Sequence, residues 1–98
     1  MDVNRALRTA VNTGKVFFGA EQTRKAVESG KAQLVVVSSN CPEKVLDELR
    51  RMKADVYRFN GTNVELGAAC GKPFRILALA IKSPGEADIT PLLPKASK

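Results

Sequence analysis

The feature of this sequence that most constrains its fold is a pair of short, continuous apolar runs set among amphipathic stretches. Residues 34–37 are β-branched or leucine throughout, which predicts a strand buried on both faces, and residues 76–81 predict a central strand. Residues 16–18 and the segment 56–59 predict two more strands. Because these strands alternate with helical patterns, we expect an α/β fold, a three-layer α/β/α sandwich around a four-stranded sheet.

Four helical stretches lie between and before the strands. The first follows Asp2, which is a good capping residue, and the second covers residues 20–29. The third has Pro42 in its first turn, where a missing N–H costs nothing. The fourth opens with a capping box formed by Thr62 and Glu65. Each helix therefore has a start signal or an apolar face that suits one side of a sheet.

The length of the chain limits the number of domains, and its net charge indicates the class of partner. Ninety-eight residues predict one domain over 1–98, with a loosely ordered tail at 90–98. Lysine and arginine number 16 against 10 acidic residues, so the net charge is +6. This balance favours a polyanionic partner, because neutralising phosphates releases counterions. The alternative is charge that serves solubility only.

Several classes of function lack the residues that they need. Histidine is absent, and Cys41 and Cys70 are far apart, so we expect no metal, no cofactor and no disulfide. No apolar run is long enough to span a bilayer, and no secretory segment opens the chain. These features predict a cytosolic protein in a reducing compartment.

Cys41 offers the one route to an enzyme. It precedes Pro42 at a helix start, where a thiol pKa can be depressed. A phosphatase-type loop would need an arginine a few residues later, and a cysteine hydrolase would need histidine. Neither is present, so we expect a semi-buried structural cysteine, and a thiol-dependent enzyme remains the alternative.

Two residues at predicted strand ends are candidates for ligand contact. Gly19 lies between a strand and a helix, where it would allow close approach to a ligand, or would serve only a tight turn. Asn40 follows the buried strand 34–37 at its carboxyl end, where α/β sheets bind ligands. Its amide could pair with a base edge or cap the third helix, and both roles stay open.

A third candidate segment combines an aromatic ring with positive charge. Phe74 lies outside the apolar run, between Lys72 and Arg75, and an exposed ring there could stack on an unpaired base. The alternative is a core phenylalanine flanked by solvated charges. For Phe74 to meet the same ligand as Gly19 and Asn40, the last strand must be antiparallel to its neighbours. The sheet is therefore predicted to be mixed.

Charged residues on the second and third helices have more ordinary interpretations. Glu21 opens the second helix, where it complements the helix dipole, although its carboxylate could also accept from a base. Gln22 follows it. The basic residues Arg50 and Arg51 suit a solvated face, but a protein-interaction module using the third helix is a further alternative.

The sequence resembles the L30e family of ribosomal proteins, part of a kink-turn RNA-binding superfamily that also contains L7Ae. The most specific match is Asn-x-Glu-Leu-Gly at residues 63–67 followed by Gly-Lys-x-Phe-Arg at residues 71–75. Weaker matches lie at residues 13–15, 18–19, 30–34, 40 and 56–57. The resemblance therefore covers nearly the whole chain.

The resemblance implies an α/β/α sandwich whose loops at one end insert into a kinked rRNA internal loop of the large ribosomal subunit. It implies a cytoplasmic, archaeal-type ribosomal protein with other ribosomal proteins as neighbours, monomeric off the ribosome and not an enzyme. Carried over by residue, the roles are backbone approach for Gly19, base contact for Asn40, RNA contact for Asn63, stacking for Phe74 and phosphate contact for Lys72 and Arg75.

One departure from the family pattern follows Gly19. Relatives often have a basic residue there, or Asn-Glu in the L7Ae branch, whereas this chain has Ala20, Glu21 and Gln22. A phosphate contact would be lost, which Lys25 one turn later could replace. The same departure disfavours the sister alternative, a guide-RNA scaffold of the L7Ae kind.

Overall fold

The structure is a computed structural model that describes residues 3–87 and Ile89. The helices are α1 (Val3–Thr13), α2 (Ala20–Glu28), α3 (Glu43–Arg51) and α4 (Asn63–Ala69), and the strands are β1 (Lys15–Phe18), β2 (Leu34–Val37), β3 (Val56–Arg58) and β4 (Ala78–Ser83). The expected cap Asp2 and the tail 90–98 lie outside the described residues.

The four strands form one mixed sheet in the order β1-β4-β2-β3. Strands β2 and β3 are parallel, whereas β4 is antiparallel to both β1 and β2. The predicted α/β sandwich with a mixed four-stranded sheet and an antiparallel last strand is therefore confirmed. This order gives β4 and β2 a neighbouring strand on each side, and the four residues of β2 and the first four of β4 are buried.

Alternate side chains of the central strands divide the core between two faces of the sheet. One cluster joins α1 and α4 to the sheet through side chains such as Leu7, Leu66 and Leu79. The other joins α2 and α3 through Leu46, Leu49 and their neighbours. All four residues of β2 are fully buried, as a strand covered by helices on both faces requires.

Several predicted strand limits are wrong: β1 begins one residue earlier than predicted, β4 is displaced by two residues at both ends, and β3 is one residue shorter. Strand β4 begins at Ala78, because the Ile76 N–H donates to the Asn63 carbonyl of α4 and not to a neighbouring strand. Strand β3 ends at Arg58, and Phe59 is buried beyond it. Apolar character predicted burial correctly at both residues but not the strand limits, and the Phe59 N–H still donates to the Val37 carbonyl of β2 at 2.7 Å.

The predicted helix start is confirmed for α4 and is wrong for α3. The capping box is confirmed, since the Glu65 N–H donates to the Thr62 hydroxyl at 3.3 Å and the Thr62 N–H donates to Glu65 Oε1 at 2.8 Å. Pro42 precedes the first turn of α3 and does not belong to it, because its ψ of 143° is extended. Helix α3 therefore begins one residue later than predicted.

Thr23 on α2 allows a test of the packing between this helix and the sheet. It is fully buried, and its hydroxyl has no hydrogen-bond partner among the described residues. Replacing it with the similarly shaped valine should raise the free energy of unfolding by up to about 1 kcal/mol, because an unpaired buried hydroxyl is removed. Chemical denaturation of Thr23→Val measures this. Thr23→Ser, which keeps the hydroxyl and loses a methyl group, should be destabilised, and a loss of stability in Thr23→Val would contradict the assignment.

Candidate nucleic-acid interface

The candidate residues converge because of the strand directions. Strand β1 ends at Phe18, which pairs with Leu79, and β2 ends at Val37, which pairs with both Ala78 and Arg58. The carboxyl ends of β1, β2 and β3 therefore meet the beginning of β4 at one edge of the sheet, here called the carboxyl edge. Ligands of α/β sheets bind at such edges.

Gly19 begins α2 at this carboxyl edge with a conformation that suits glycine. Its φ of 98° lies in the region that L side chains rarely adopt. Its N–H donates to the Ala78 carbonyl at 2.8 Å, which fixes the turn to the start of β4. A Cβ built at Gly19 would meet nothing within 4 Å, so the space beside this backbone is open to a ligand.

Asn40 and Asn63 form one hydrogen-bonded pair at the same edge. Asn40 Oδ1 accepts from the Ser38 hydroxyl at 2.7 Å and from the Asn63 backbone N–H at 3.0 Å. Asn40 Nδ2 donates to Asn63 Oδ1 at 3.3 Å. The possible role of Asn40 as a cap of α3 is wrong, because α3 has no side-chain cap and the Asn40 oxygen is already engaged with the start of α4.

The segment that contains Asn40 is also held from behind by β3 and its loop. The Ser39 N–H donates to the Gly61 carbonyl at 2.7 Å. The Arg58 guanidinium donates to the Ser39 carbonyl at 3.0 Å and is otherwise exposed. These bonds fix the backbone of Ser39, the residue before Asn40, so the Asn40 amide is preorganised before any ligand arrives.

Phe74 is half exposed at the carboxyl edge, with 51% of its surface accessible. Its ring lies perpendicular to the Phe18 ring, at a centroid distance of 6.2 Å and an angle of 85°. The Lys72 ammonium lies 5.5 Å from the centre of the same Phe18 ring. Phe18 therefore supports both the candidate stacking residue and a candidate phosphate contact, and the expected exposure of Phe74 is confirmed.

Gly67 on α4 determines how closely the Phe74 segment can approach. A Cβ at Gly67 would lie in direct collision with the Phe74 carbonyl oxygen. The Gly67 carbonyl in turn accepts from the Lys72 N–H at 3.0 Å. A glycine within a helix is thus needed here for contact between two backbones, not for a turn.

A shallow apolar groove runs beside Phe74. Its lining consists of Val64, Ala68, Lys72, Pro73, Phe74 and Arg75. Val64 and Phe74 are the two large apolar side chains that are exposed among the described residues, at 53% and 51%. An exposed apolar pair beside two basic side chains suits an aromatic, negatively charged ligand.

Glu21, Gln22 and Lys25 lie on the exposed face of α2 just beyond Gly19. Lys25 Nζ is 3.6 Å from Glu21 Oε1, in a pair one helical turn apart. Glu21 also lines a cavity between α2 and α3, together with Arg24 and Glu48. Part of the Lys25 charge is therefore compensated, and the structure records no contact of these three residues with Asn40 or Phe74.

The two thiols are structural. Burial raises the pKa of Cys41, with Arg58 opposing the increase and Glu43 adding to it. Burial likewise raises the pKa of Cys70 to about 11, opposed by Lys72. The depressed Cys41 pKa that a helix start suggested is therefore wrong, because burial outweighs the nearby charge. Both thiols stay protonated near neutral pH, and protonated thiols are poor nucleophiles.

Among residues 3–87 and 89, no three histidine, cysteine, aspartate or glutamate side chains lie close enough together to hold a metal ion. Over the same part of the chain, no helix is both long and apolar enough to cross a membrane.

Three residues of the carboxyl edge were not among the sequence candidates: Phe18, Arg58 and Val64. Phe18 was assigned to a strand end and to the family match at residues 18–19 but was given no role in the site, and Arg58 was given no role in the strand before Phe59. Position at the carboxyl end of a strand was a usable signal for both, because that rule had already selected Gly19 and Asn40. Val64 offered no signal, since its exposure depends on the orientation of α4.

Comparison with known proteins gives a consistent result. Residues 1–90 match the profile of the ribosomal protein L7Ae/L30e/S12e/Gadd45 family. The large ribosomal subunit protein eL30 of Methanoregula boonei is 47% identical over 93 residues, covering 94% of this chain and 96% of that protein. The eL30 proteins of Methanosarcina mazei and Methanothermobacter thermautotrophicus are 46% and 42% identical, covering 91% of this chain and 86% and 95% of those proteins.

Proposed function

The chain belongs to the ribosomal protein L7Ae/L30e/S12e/Gadd45 family, and on this premise we propose that it is a structural protein of the archaeal large ribosomal subunit. It binds a kink-turn or similar internal loop of the rRNA through the carboxyl edge and has other ribosomal proteins as neighbours. It acts in the cytoplasm, as a monomer when off the ribosome, and it has no catalytic activity.

The observation that carries the proposal is the exposed Phe74 ring beside Lys72 and Arg75. Folding normally buries a large aromatic ring, so exposing half of it indicates a use outside the core. An extruded base can stack on such a ring, while the two cations neutralise its phosphates. The perpendicular Phe18 ring packs against Phe74, and about half of the Phe74 surface remains accessible.

The Asn40–Asn63 pair supports recognition of a base edge. Asn40 Oδ1 already accepts two bonds, so the amide face that remains for RNA is chiefly a donor. Each NH₂ group has two hydrogens, and only one hydrogen of Asn40 Nδ2 is used by Asn63. The pair therefore favours acceptor atoms such as the O6 and N7 of guanine.

Gly19 supplies the close approach that a kinked backbone needs. The open space beside it and the exposed first turn of α2 allow a phosphate to contact backbone N–H groups. Glu21 and Gln22 add no positive charge at this turn. Lys25, one turn later, is therefore the basic residue that replaces the missing phosphate contact. We therefore propose that Gln22 and Lys25 have peripheral roles, and that Glu21 positions Lys25.

The alternatives considered from the sequence have weaker support. The relatives reported above bear the name of a large-subunit protein, which favours rRNA over a guide RNA. A thiol-dependent enzyme would need a reactive Cys41, whose pKa is raised by burial. The thiol-enzyme alternative also leaves the exposure of Phe74 without an explanation.

The proposal is tested by Phe74→Ala in a titration with a short kink-turn RNA. We expect affinity to fall by about 1–3 kcal/mol, the usual contribution of one stacked base. Phe74→Tyr keeps a ring and should bind close to the parent affinity. Thermal unfolding of both variants establishes that the fold is intact. Unchanged affinity in Phe74→Ala would remove this residue from the interface and, with it, the main support for the proposal.

A further inference from the structure

The charge of this chain is unevenly distributed among its helices. Helices α2 and α3 each contain equal numbers of acidic and basic residues, and ion pairs such as Lys25–Glu21 and Arg50–Asp47 join them. Helix α1, with the sequence VNRALRTAVNT, contains two arginines and no acid. Helix α1 therefore carries part of the net positive charge of the chain, whereas α2 and α3, on the other face of the sheet, carry none.

The polar side chains of α1 lie together on its outer side. Ala6, Leu7 and Ala10 are buried against the sheet, and the residues that line a shallow groove along the opposite side are Asn4, Arg5, Arg8, Thr9 and Asn12. We call these five the α1 basic face. They span two helical turns, or roughly 12 Å at 1.5 Å per residue. Every side chain among them can donate hydrogen bonds, and none is acidic.

The α1 basic face adjoins the carboxyl edge. Arg8 Nε lies 3.6 Å from the position of a Cβ built on Gly71, the residue before Lys72. Asn4 lines a cavity together with Phe59 and Asn60, which follow β3 at that edge. Positive charge therefore continues from Lys72 across Gly71 to Arg8, on the α1 and α4 side of the sheet.

Arg8 is available for an external partner. It is exposed, and no salt bridge within residues 3–87 joins it to a carboxylate. An arginine beside asparagine and threonine donors, without a compensating acid, is typical of a surface that contacts nucleic-acid phosphates. The α1 basic face contains no aromatic side chain, so it is not suited to stacking on bases.

We propose that the α1 basic face binds the phosphate backbone of a duplex arm that leaves the kinked loop. This inference rests on the proposed function, since it assumes that RNA is bound at the carboxyl edge. It extends that interface by a second surface, which reads backbone position and not sequence. Arg8 is its principal contact, because Arg8 joins the α1 basic face to Lys72.

The experiment uses three kink-turn RNAs with the same internal loop. One has two short arms, and in each of the others a different arm is longer by about one helical turn. For one of the two extensions we expect the parent chain to bind about three- to tenfold more tightly than to the short RNA. Arg8→Gln should lose this gain, keep its affinity for the short RNA, and lower the salt slope on the long RNA by roughly one released ion. Arg8→Lys should retain the gain.

The matched control is Arg51→Gln, which removes the same charge from exposed α3 on the other face of the sheet. It should bind both RNAs as the parent does. An equal gain from arm length in Arg8→Gln and the parent, or no gain with either arm, would overturn the inference while leaving the kink-turn proposal intact. Loss of any preference for kinked RNA by the parent chain would overturn both.

Discussion

We expect the Gly67→Ala variant to be less stable than the parent chain by about 1–3 kcal/mol, the usual cost of forcing extra volume into a packed site. In an ordinary helix this change raises stability, because alanine is favoured over glycine by about 1 kcal/mol. The sign should be reversed here, since the new Cβ would collide with the Phe74 carbonyl. Chemical denaturation gives the difference directly.

The same variant should also bind RNA less tightly. Relieving the collision moves the Phe74 segment away from α4, and with it the ring that contacts Phe18. The control is Gly30→Ala, which is strained by a φ of 72° but has open space around it. It should lose stability and keep RNA affinity. Increased stability of Gly67→Ala would contradict the packing described here.

The second large effect is expected for Asn40→Asp, in which stability and binding should separate. Aspartate keeps an oxygen that can accept from Ser38 and from the Asn63 N–H, and it loses only the exposed donation to Asn63 Oδ1. The free energy of unfolding should therefore stay within about 1 kcal/mol of the parent. RNA affinity should fall by roughly two orders of magnitude, because placing like charges together at an interface costs several kcal/mol.

Asn40→Ser provides the comparison for this prediction. Serine adds no charge and is expected to weaken RNA binding less than aspartate, although it shortens the reach toward Asn63. A titration with one kink-turn RNA ranks the three proteins, and denaturation curves show whether they are folded. If Asn40→Asp binds as well as the parent, Asn40 only connects two loops and does not face RNA.

Much of this fold was predictable because burial and hydrogen bonding agree along most of the chain. The run Leu34–Val37 is apolar throughout, and its composition correctly predicted a strand buried on both faces, which also pairs on both sides. At Ile76 the two signals separate, because the side chain is buried while its N–H bonds to α4. No local pattern shows where a distant carbonyl will lie.

The sequence predicted several residues of the candidate site but not the hydrogen bonds between them. For Gly19, Asn40 and Phe74 to meet at one edge, the last strand had to be antiparallel to its neighbours, and the structure confirms that direction. The Asn40–Asn63 pair was not predicted, because 23 residues separate the two amides and the local sequence favoured a cap for α3. Long-range pairing of this kind depends on the loop geometry after folding.

The central claim is that the carboxyl edge recognises the shape of a kinked RNA. The most direct test is a titration of the parent chain against a short kink-turn RNA and a fully paired duplex of equal length, each at two salt concentrations. We predict a strong preference for the kinked RNA that persists at higher salt, because stacking and amide contacts depend on salt less than phosphate contacts do. Equal binding to both RNAs that falls together with added salt would contradict the claim and would mean that the net charge of +6 binds RNA without recognising its shape.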